Sequence, residues 1–330
     1  MAFNNSTLVP DYINEDYVHP AVYIGASVAL AFIGFFGFIM NLLVVVVIVK
    51  DAQTLWTPVN VILVNLVFGD LLVAALGNPV AMVSAMTGGW YWSYKVCLWY
   101  ACFMSTLGFA SIGNLTVMAV ERWLLVVKPT KVLSIRTAII LGFLVWIYAL
   151  CLSLPPLVGW GSYGPEAGNV SCSVSWEVHD EVTRSGSYIG YIFTVGLVIP
   201  VIIISASYLA IIAKLRKVRK RAGARGRREA KITKMIALMI IAFLVAWLPY
   251  ATLALAAQYF DVKPSASLAV LPALLAKSSI CYNPIIYVGL NNQFSRSLKK
   301  IFDIRITRNR VPESQNMTAL TTLNRSDQRI

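Results

Sequence analysis

Residues 265–290 read SASLAVLPALLAKSSICYNPIIYVGL. The run is long enough to cross a bilayer, which takes roughly 20 apolar residues in a helix, and its single charge is Lys277. A barrel strand would need only about ten residues of strict alternation, which this run lacks. Six further windows of the same kind precede it, near residues 21–49, 59–86, 97–127, 137–158, 187–213 and 231–257. At 330 residues, 58% hydrophobic and 13% charged, with a mean hydropathy of +0.69, the chain is not a water-soluble globular domain. The reading is an all-α membrane protein: a seven-transmembrane helix bundle over 21–290, preceded by an extracellular tail, 1–20. Pro79, Pro200, Pro249 and Pro284 fall inside the windows and read as kinks that neighbouring helices support.

The charges orient the bundle. Of the 28 Lys and Arg residues, 24 follow odd-numbered windows: Lys50; Arg122, Lys128, Lys131 and Arg136; eleven from Lys214 to Lys234; and eight from Arg296 onward. By the positive-inside rule those segments are cytoplasmic and the N-terminus is outside, as in a multi-pass plasma-membrane protein. The net charge of +13 and the run RKVRKRAGARGRR (216–228) then report topology beside anionic lipid and call for no nucleic acid. The first twenty residues have neither a basic n-region nor an apolar h-region, so no cleavable signal peptide is expected. Asn4, Asn5 and Asn169 begin Asn-x-Ser/Thr triplets on the outer side and are expected glycosylation sites. Residues 291–302, NNQFSRSLKKIF, read as an amphipathic helix on the inner leaflet, with Phe294, Leu298, Ile301 and Phe302 on its apolar side. Residues 303–330 read as a disordered tail.

Of five cysteines, Cys102, Cys151 and Cys281 lie within windows and read as small apolar fillers. Cys97 opens the third window at the outer surface and Cys172 lies mid-way along the second outer loop, so both face an oxidising compartment. A bridge between them would tie that loop over the bundle as a lid. Charges within the spans need an account: Asp70 could join Asn41, Asn65 and Asn283 in a polar or sodium-holding network, while Lys277 is too deep in its helix for simple snorkelling.

NPIIY (283–287), ERW (121–123), AWLP (246–249), Asn41, Asp70 and Trp146, each in its expected window, together resemble the rhodopsin-like class of G-protein-coupled receptors. Lys277, ten residues before Tyr287, then resembles the retinal-binding lysine of animal opsins. The outer loop GWGSYGPEAGNVSCSVSW (159–176) and the stretch AKSSICYNPIIYVGLNNQF (276–294) are similar to ciliary opsins of the encephalopsin and teleost-multiple-tissue group. Trp123 and Ala246 depart from the usual Tyr and Cys, and neither is a residue on which the mechanism depends.

The resemblance implies retinal held covalently as a protonated Schiff base on Lys277, a buried cation that needs an anion. Position 100, where visual pigments carry a carboxylate, is Tyr100, and Glu166, six residues before Cys172, matches the alternative counterion of pigments with a stable photoproduct. Ser105, Gly108, Trp176, Trp247 and Tyr250 match pocket positions. Glu121 and Glu229 match the carboxylates that restrain Arg122 at rest, Tyr208 and Tyr287 the pair that turns inward on activation, and Asn283 and Pro284 the switch in the seventh helix. The implied partners are a heterotrimeric G protein, with Gi/o favoured, and a receptor kinase and arrestin acting on Ser314, Thr318, Thr321, Thr322 and Ser326; the implied location extends to a photoreceptor ciliary membrane. A receptor for a diffusible amine or lipid, with Lys277 an ordinary pocket charge, is the alternative. A retinal-driven pump or channel is a third, and it lacks the chain of intramembrane carboxylates that proton transfer requires. None of these readings is an enzyme.

Overall fold

The structure, a computed structural model, describes residues 18–218, 224–262 and 265–308. Asn4, Asn5, the side chain of Phe302 and the tail hydroxyls from Ser314 to Ser326 lie outside the described residues and side chains. Among the described residues, seven helices are long and apolar enough to cross a membrane. They are α1 (Pro20–Lys50), α2 (Pro58–Met86), α3 (Tyr94–Val127), α4 (Ile135–Ser153), α5 (Ser185–Lys217), α6 (Ala224–Phe260) and α7 (Ala266–Leu290). An eighth helix, α8 (Asn292–Arg308), follows, and a single helical turn, Ala52–Leu55, joins α1 to α2. Following the loop charges, the N-terminal end of the bundle is called outer and the opposite end inner.

Local chemistry starts these helices where the sequence provides it. His19 caps α1 by accepting from Ala21 N at 3.1 Å ahead of Pro20, and Thr57 and Ser265 cap α2 and α7 in the same manner. Helix α4 stops at Ser153, short of the expected 158, because Pro155 and Pro156 cannot continue it, and a 3-10 turn, Pro155–Val158, takes over. Helix α6 starts at Ala224, seven residues before the expected 231: hydropathy reports the bilayer, whereas the Arg, Glu and Ala residues that make up six of positions 224–230 are good helix formers in water. Similarly, α8 passes the expected end at 302 and reaches Arg308, since the next helix breaker is Pro312.

Two of the expected kinks take a definite form. A π-helical turn, Val73–Gly77 or Thr194–Val198, lies just ahead of Pro79 and of Pro200. Proline has no N–H and its ring strikes the carbonyl four residues back, so a widened turn moves that carbonyl aside.

Helix α3 is central, packed against α2, α4, α5 and α6. The inner half shares one apolar core that includes Ile48, Leu63, Leu115, Met239 and Tyr287, and a second core in the outer half joins Tyr100 and Tyr188 to the lid residues Tyr163 and Val174. In the lid, β1 (Tyr163–Pro165) and β2 (Cys172–Val174) form a short antiparallel hairpin over the helical bundle. A disulfide joins Cys97 to Cys172. Gly161, at φ +82°, lets the chain pass the Tyr188 ring, where a Cβ would come to 2.3 Å.

The amphipathic helix α8 is anchored at both ends of its contact with the bundle. Phe294 is fully buried and meets the Tyr287 ring edge-on at 5.0 Å. Ser297 Oγ donates to Asp51 Oδ2 at 2.5 Å. That bond holds the Asp51 carboxyl below the usual carboxylate range against the opposing effect of burial, with Thr54 and Lys300 assisting.

Candidate functional site

Between the lid and the middle of the bundle lies a cavity of about 170 Å³. Its walls are mostly apolar and aromatic, and they include Tyr100, Ser105, Gly108, Trp176, Trp247, Tyr250, Glu166 and Lys277, all eight residues expected to surround a ligand. The sequence reading did not single out Ile192, Phe193, Leu197 and Phe243, nor the alanines Ala251, Ala254, Ala273 and Ala276 that keep α6 and α7 from filling the space near Lys277. Aromatic and alanine positions of this kind look like ordinary packing in a sequence.

Trp247 forms the floor. Its Nε1 donates to Ser279 Oγ at 3.2 Å, and its ring leans on Phe243 and meets Tyr250 edge-on. Gly108 lets the indole lie close against α3, since a Cβ there would stand 3.1 Å from the ring and the ring would have to shift. Below this floor the cavity continues to Ser111 and Asp70.

At the lid, a relay of hydrogen bonds converges on Glu166. Trp176 Nε1 donates to Tyr250 Oη at 3.0 Å, and Tyr250 Oη donates to Glu166 Oε1 at 2.8 Å. The other carboxylate oxygen accepts from Ser171 Oγ, which in turn accepts from Lys277 Nζ at 3.1 Å. Among the described residues no carboxylate oxygen lies within 4.0 Å of Lys277 Nζ. The lysine therefore reaches its anion through a serine hydroxyl. Burial raises the Glu166 pKa, but the positive charge of Lys277 and the hydroxyls of Ser171, Tyr250 and Ser173 outweigh it and leave the carboxyl below its ordinary value. Ser171 went unnoticed in the sequence because it reads as the third residue of a glycosylation triplet. Tyr100 is fully buried beside the same group, edge-on to Trp90, and its hydroxyl has no hydrogen-bond partner among the described residues.

The inner end is built differently. Arg122 donates from Nε and Nη2 to the neighbouring Glu121, the second bond at 2.6 Å, and from Nη1 to Glu229 Oε2 of α6 at 3.1 Å. Glu121 and Arg122 are each only 3% exposed, so these are charge-assisted bonds in a dry setting. Tyr208 Oη and Tyr287 Oη do not meet: the first donates to Thr233 O at 3.3 Å and the second to Asn60 Oδ1 at 3.1 Å. A further tie, unread in the sequence, runs from Lys231 Nζ on α6 to Asn292 Oδ1 of α8 at 2.6 Å.

The expected Asp70 network is smaller than anticipated. Asn283 Nδ2 donates to Asp70 Oδ2 at 3.1 Å, whereas Asn41 bonds the carbonyls of Gly37 and Ile280. Asn65 belongs elsewhere, accepting from Trp146 Nε1 and donating to Asn114. Five residues along a helix is about 140° around it, which turns Asn65 to another face from Asp70. Pro284 follows Asn283 inside α7, and Asn169 is exposed at the tip of the lid hairpin.

Residues 40–287 match the 7 transmembrane receptor (rhodopsin family), and the chain belongs to that family. It is 35% identical to the pinopsin of Gallus gallus over 288 residues, 86% of this chain and 80% of the relative. It is 32% identical to the visual pigment-like receptor peropsin of Homo sapiens over 82% of this chain and 81% of that one. The crystal structure of squid rhodopsin superposes with a TM-score of 0.78 at 26% identity, over 99% of this chain and 98% of the other. Within the family it is therefore an animal opsin, a multi-pass membrane receptor of the G-protein-coupled class.

Proposed function

We propose that the protein is a light-activated receptor that holds retinal as a Schiff base on Lys277 and signals to a heterotrimeric G protein. The observation that carries this reading is the placement of one lysine amine at the wall of a mostly apolar cavity, joined through Ser171 to a carboxylate held in its anionic form. Retinal, when bound, supplies visible absorption and a light-driven change of shape. Lys277 would anchor it, Glu166 would stabilise the positive charge at the Lys277 nitrogen, and Tyr250 and Ser171 would keep that carboxylate in place. The alanines of α6 and α7 leave room for a chain, and Trp247, next to Pro249, would transmit a change of shape to α6. At the inner end the Arg122 bonds to Glu121 and Glu229 support a resting state in which α6 is held inward; release would open a crevice for the G protein, a switch between two packings.

With Tyr100 in place of a carboxylate, negative charge near the amine rests on Glu166, and by resemblance this favours a bistable pigment whose photoproduct keeps retinal. Coupling to Gi/o, desensitisation by a receptor kinase and arrestin, an outward N-terminus, glycosylation of Asn4, Asn5 and Asn169, and residence in a ciliary membrane complete the reading.

The experiment is an absorption spectrum of protein purified with retinal, before and after illumination and after acid denaturation, for wild type and Lys277→Ala. Wild type gives a visible band that illumination shifts; Lys277→Ala reaches the membrane, gives no retinal-dependent band and shows no light-evoked signalling. A light response of undiminished size in Lys277→Ala refutes the reading, and a wild type without any band supports a receptor for a diffusible ligand.

A further inference from the structure

The lid places two demands on one hydroxyl. Asn169, Val170 and Ser171 form a glycosylation triplet, and Ser171 is also the residue that stands between Lys277 and Glu166. Transfer of a glycan needs both ends of the triplet: the Asn169 amide as nucleophile and the hydroxyl two residues on as part of what the transferase recognises. The two ends are in opposite situations. Asn169 is exposed, whereas Ser171 is 1% exposed, with its hydroxyl bonded to the carboxylate and to the lysine.

The backbone adds a second obstacle. Asn169 has φ +53° in a tight turn in which its N–H donates to Glu166 O at 2.8 Å, while Glu166 N donates to Ser171 O at 2.8 Å. A triplet bent and tied in this manner cannot be laid out as an extended strand in another protein's groove. The next residue, Cys172, is bridged to Cys97, which pins the far end of the triplet to α3.

We propose that Asn169 accepts its glycan only before the lid closes, so that glycosylation and formation of the Lys277–Ser171–Glu166 relay compete for Ser171, and the occupancy of Asn169 records how fast the lid folds. The inference rests on the outward orientation of the lid proposed above. In the transfer, the Asn169 carboxamide nitrogen bonds to the anomeric carbon of an oligosaccharide carried on a polyprenyl diphosphate. The sugar–phosphate bond breaks, the polyprenyl diphosphate leaves with its electron pair, and the amide nitrogen loses one proton. Once attached, the glycan projects from an exposed turn and leaves the Ser171 hydroxyl free to enter the relay.

The test uses the full chain carrying Asn4→Gln, Asn5→Gln, Thr116→Val, Asn316→Gln and Asn324→Gln, so that the lid triplet is the one acceptor left in the sequence even when the chain is unfolded, made glycan-free by blocking synthesis of the lipid-linked donor. It is then offered transferase and donor in two forms: folded in membranes with the disulfide intact, and reduced and unfolded. Glycan addition is read as a gel shift reversed by endoglycosidase, a measurement that does not depend on retinal. Addition to the folded form is expected to be lower by a factor of about ten or more, because it must wait for local opening of the lid. Cys97→Ser, which leaves the lid untied, lengthens the interval after synthesis during which Asn169 is modified. Ser171→Thr retains both modification and relay. Asn169→Gln removes the glycan and leaves the pH titration of the retinal-loaded spectrum unchanged, whereas Ser171→Ala removes the glycan and shifts that titration. Equal addition to the folded and unfolded forms, or no addition to either, overturns the proposal.

Discussion

Among the described residues two basic side chains, Arg122 and Lys277, point into the bundle, and their surroundings differ. Arg122 at the inner end makes direct bonds to two carboxylates, one on its own helix and one on α6. Lys277 in the outer half makes one bond, to a neutral hydroxyl, and its carboxylate stands on the far side of that hydroxyl. A guanidinium is permanently charged and suited to holding two elements together with several bonds. An amine screened from its anion by one hydroxyl keeps a nitrogen available for covalent chemistry, while the anion remains near enough to stabilise positive charge on whatever that nitrogen becomes. The inner cluster is built as a latch, and the outer cluster is built as a reaction site with a tuned field.

The largest effect expected from disturbing this contrast is at Glu166. Its carboxyl is held below the ordinary range, so its charge is present throughout neutral pH and is lost only as pH falls below that range. Removing it with Glu166→Gln disfavours the cation at the Lys277 nitrogen and lowers that group's pKa by about 1 to 3 in at least one photostate. The retinal-loaded protein then turns from visible toward ultraviolet absorption at a lower pH than wild type. Parallel titrations of dark and illuminated samples measure this, and superimposable curves for the two proteins would remove Glu166 from the account. Hydroxylamine challenge of the wild-type photoproduct checks bistability, and rapid loss of retinal would refute it.

At the latch, neutralising a carboxylate favours the open packing. Glu121→Gln, at the buried end, raises basal nucleotide exchange in darkness by about tenfold, within the 5- to 150-fold span of typical coupling energies of about 1–3 kcal/mol. Glu229→Gln has a smaller effect, because its side chain is 30% exposed and water replaces part of what is lost. Exchange assays at matched expression check both, and dark silence of both variants and of their double would mean that other contacts hold α6. The smallest effect falls at the solvent-exposed tie between Lys231 and Asn292, where Lys231→Ala should raise basal exchange about twofold or less, the scale of a surface contact. A change larger than that of Glu121→Gln would invert the order of the two ties.

The bundle was legible in the sequence because a bilayer leaves few solutions: seven windows of apolar residues read out directly as seven helices, and Lys277 and Asp70 stood out as charges within them. The disulfide was legible because Cys97 opens a window at the outer surface and Cys172 lies in the second outer loop, whereas the other three cysteines fall inside windows. What hydropathy could not show was how polar side chains share partners. Asn65 and Asp70 both suggested one network until helical phase separated them, and Ser171 carried two meanings of which the triplet was the more conspicuous. Helix ends governed by chemistry in water, at Ala224 and Arg308, were likewise invisible to a count of apolar residues.

The central claim is that Lys277 and no other amine bears retinal. Protein reconstituted with retinal in darkness, reduced with borohydride to make the carbon–nitrogen link permanent, and mapped by mass spectrometry after proteolysis tests it most directly. The account predicts a single retinyl-modified peptide, the one containing Lys277, in an amount that tracks the visible band lost on reduction. A modified peptide from elsewhere in the chain, or loss of the visible band with Lys277 unmodified, would contradict it.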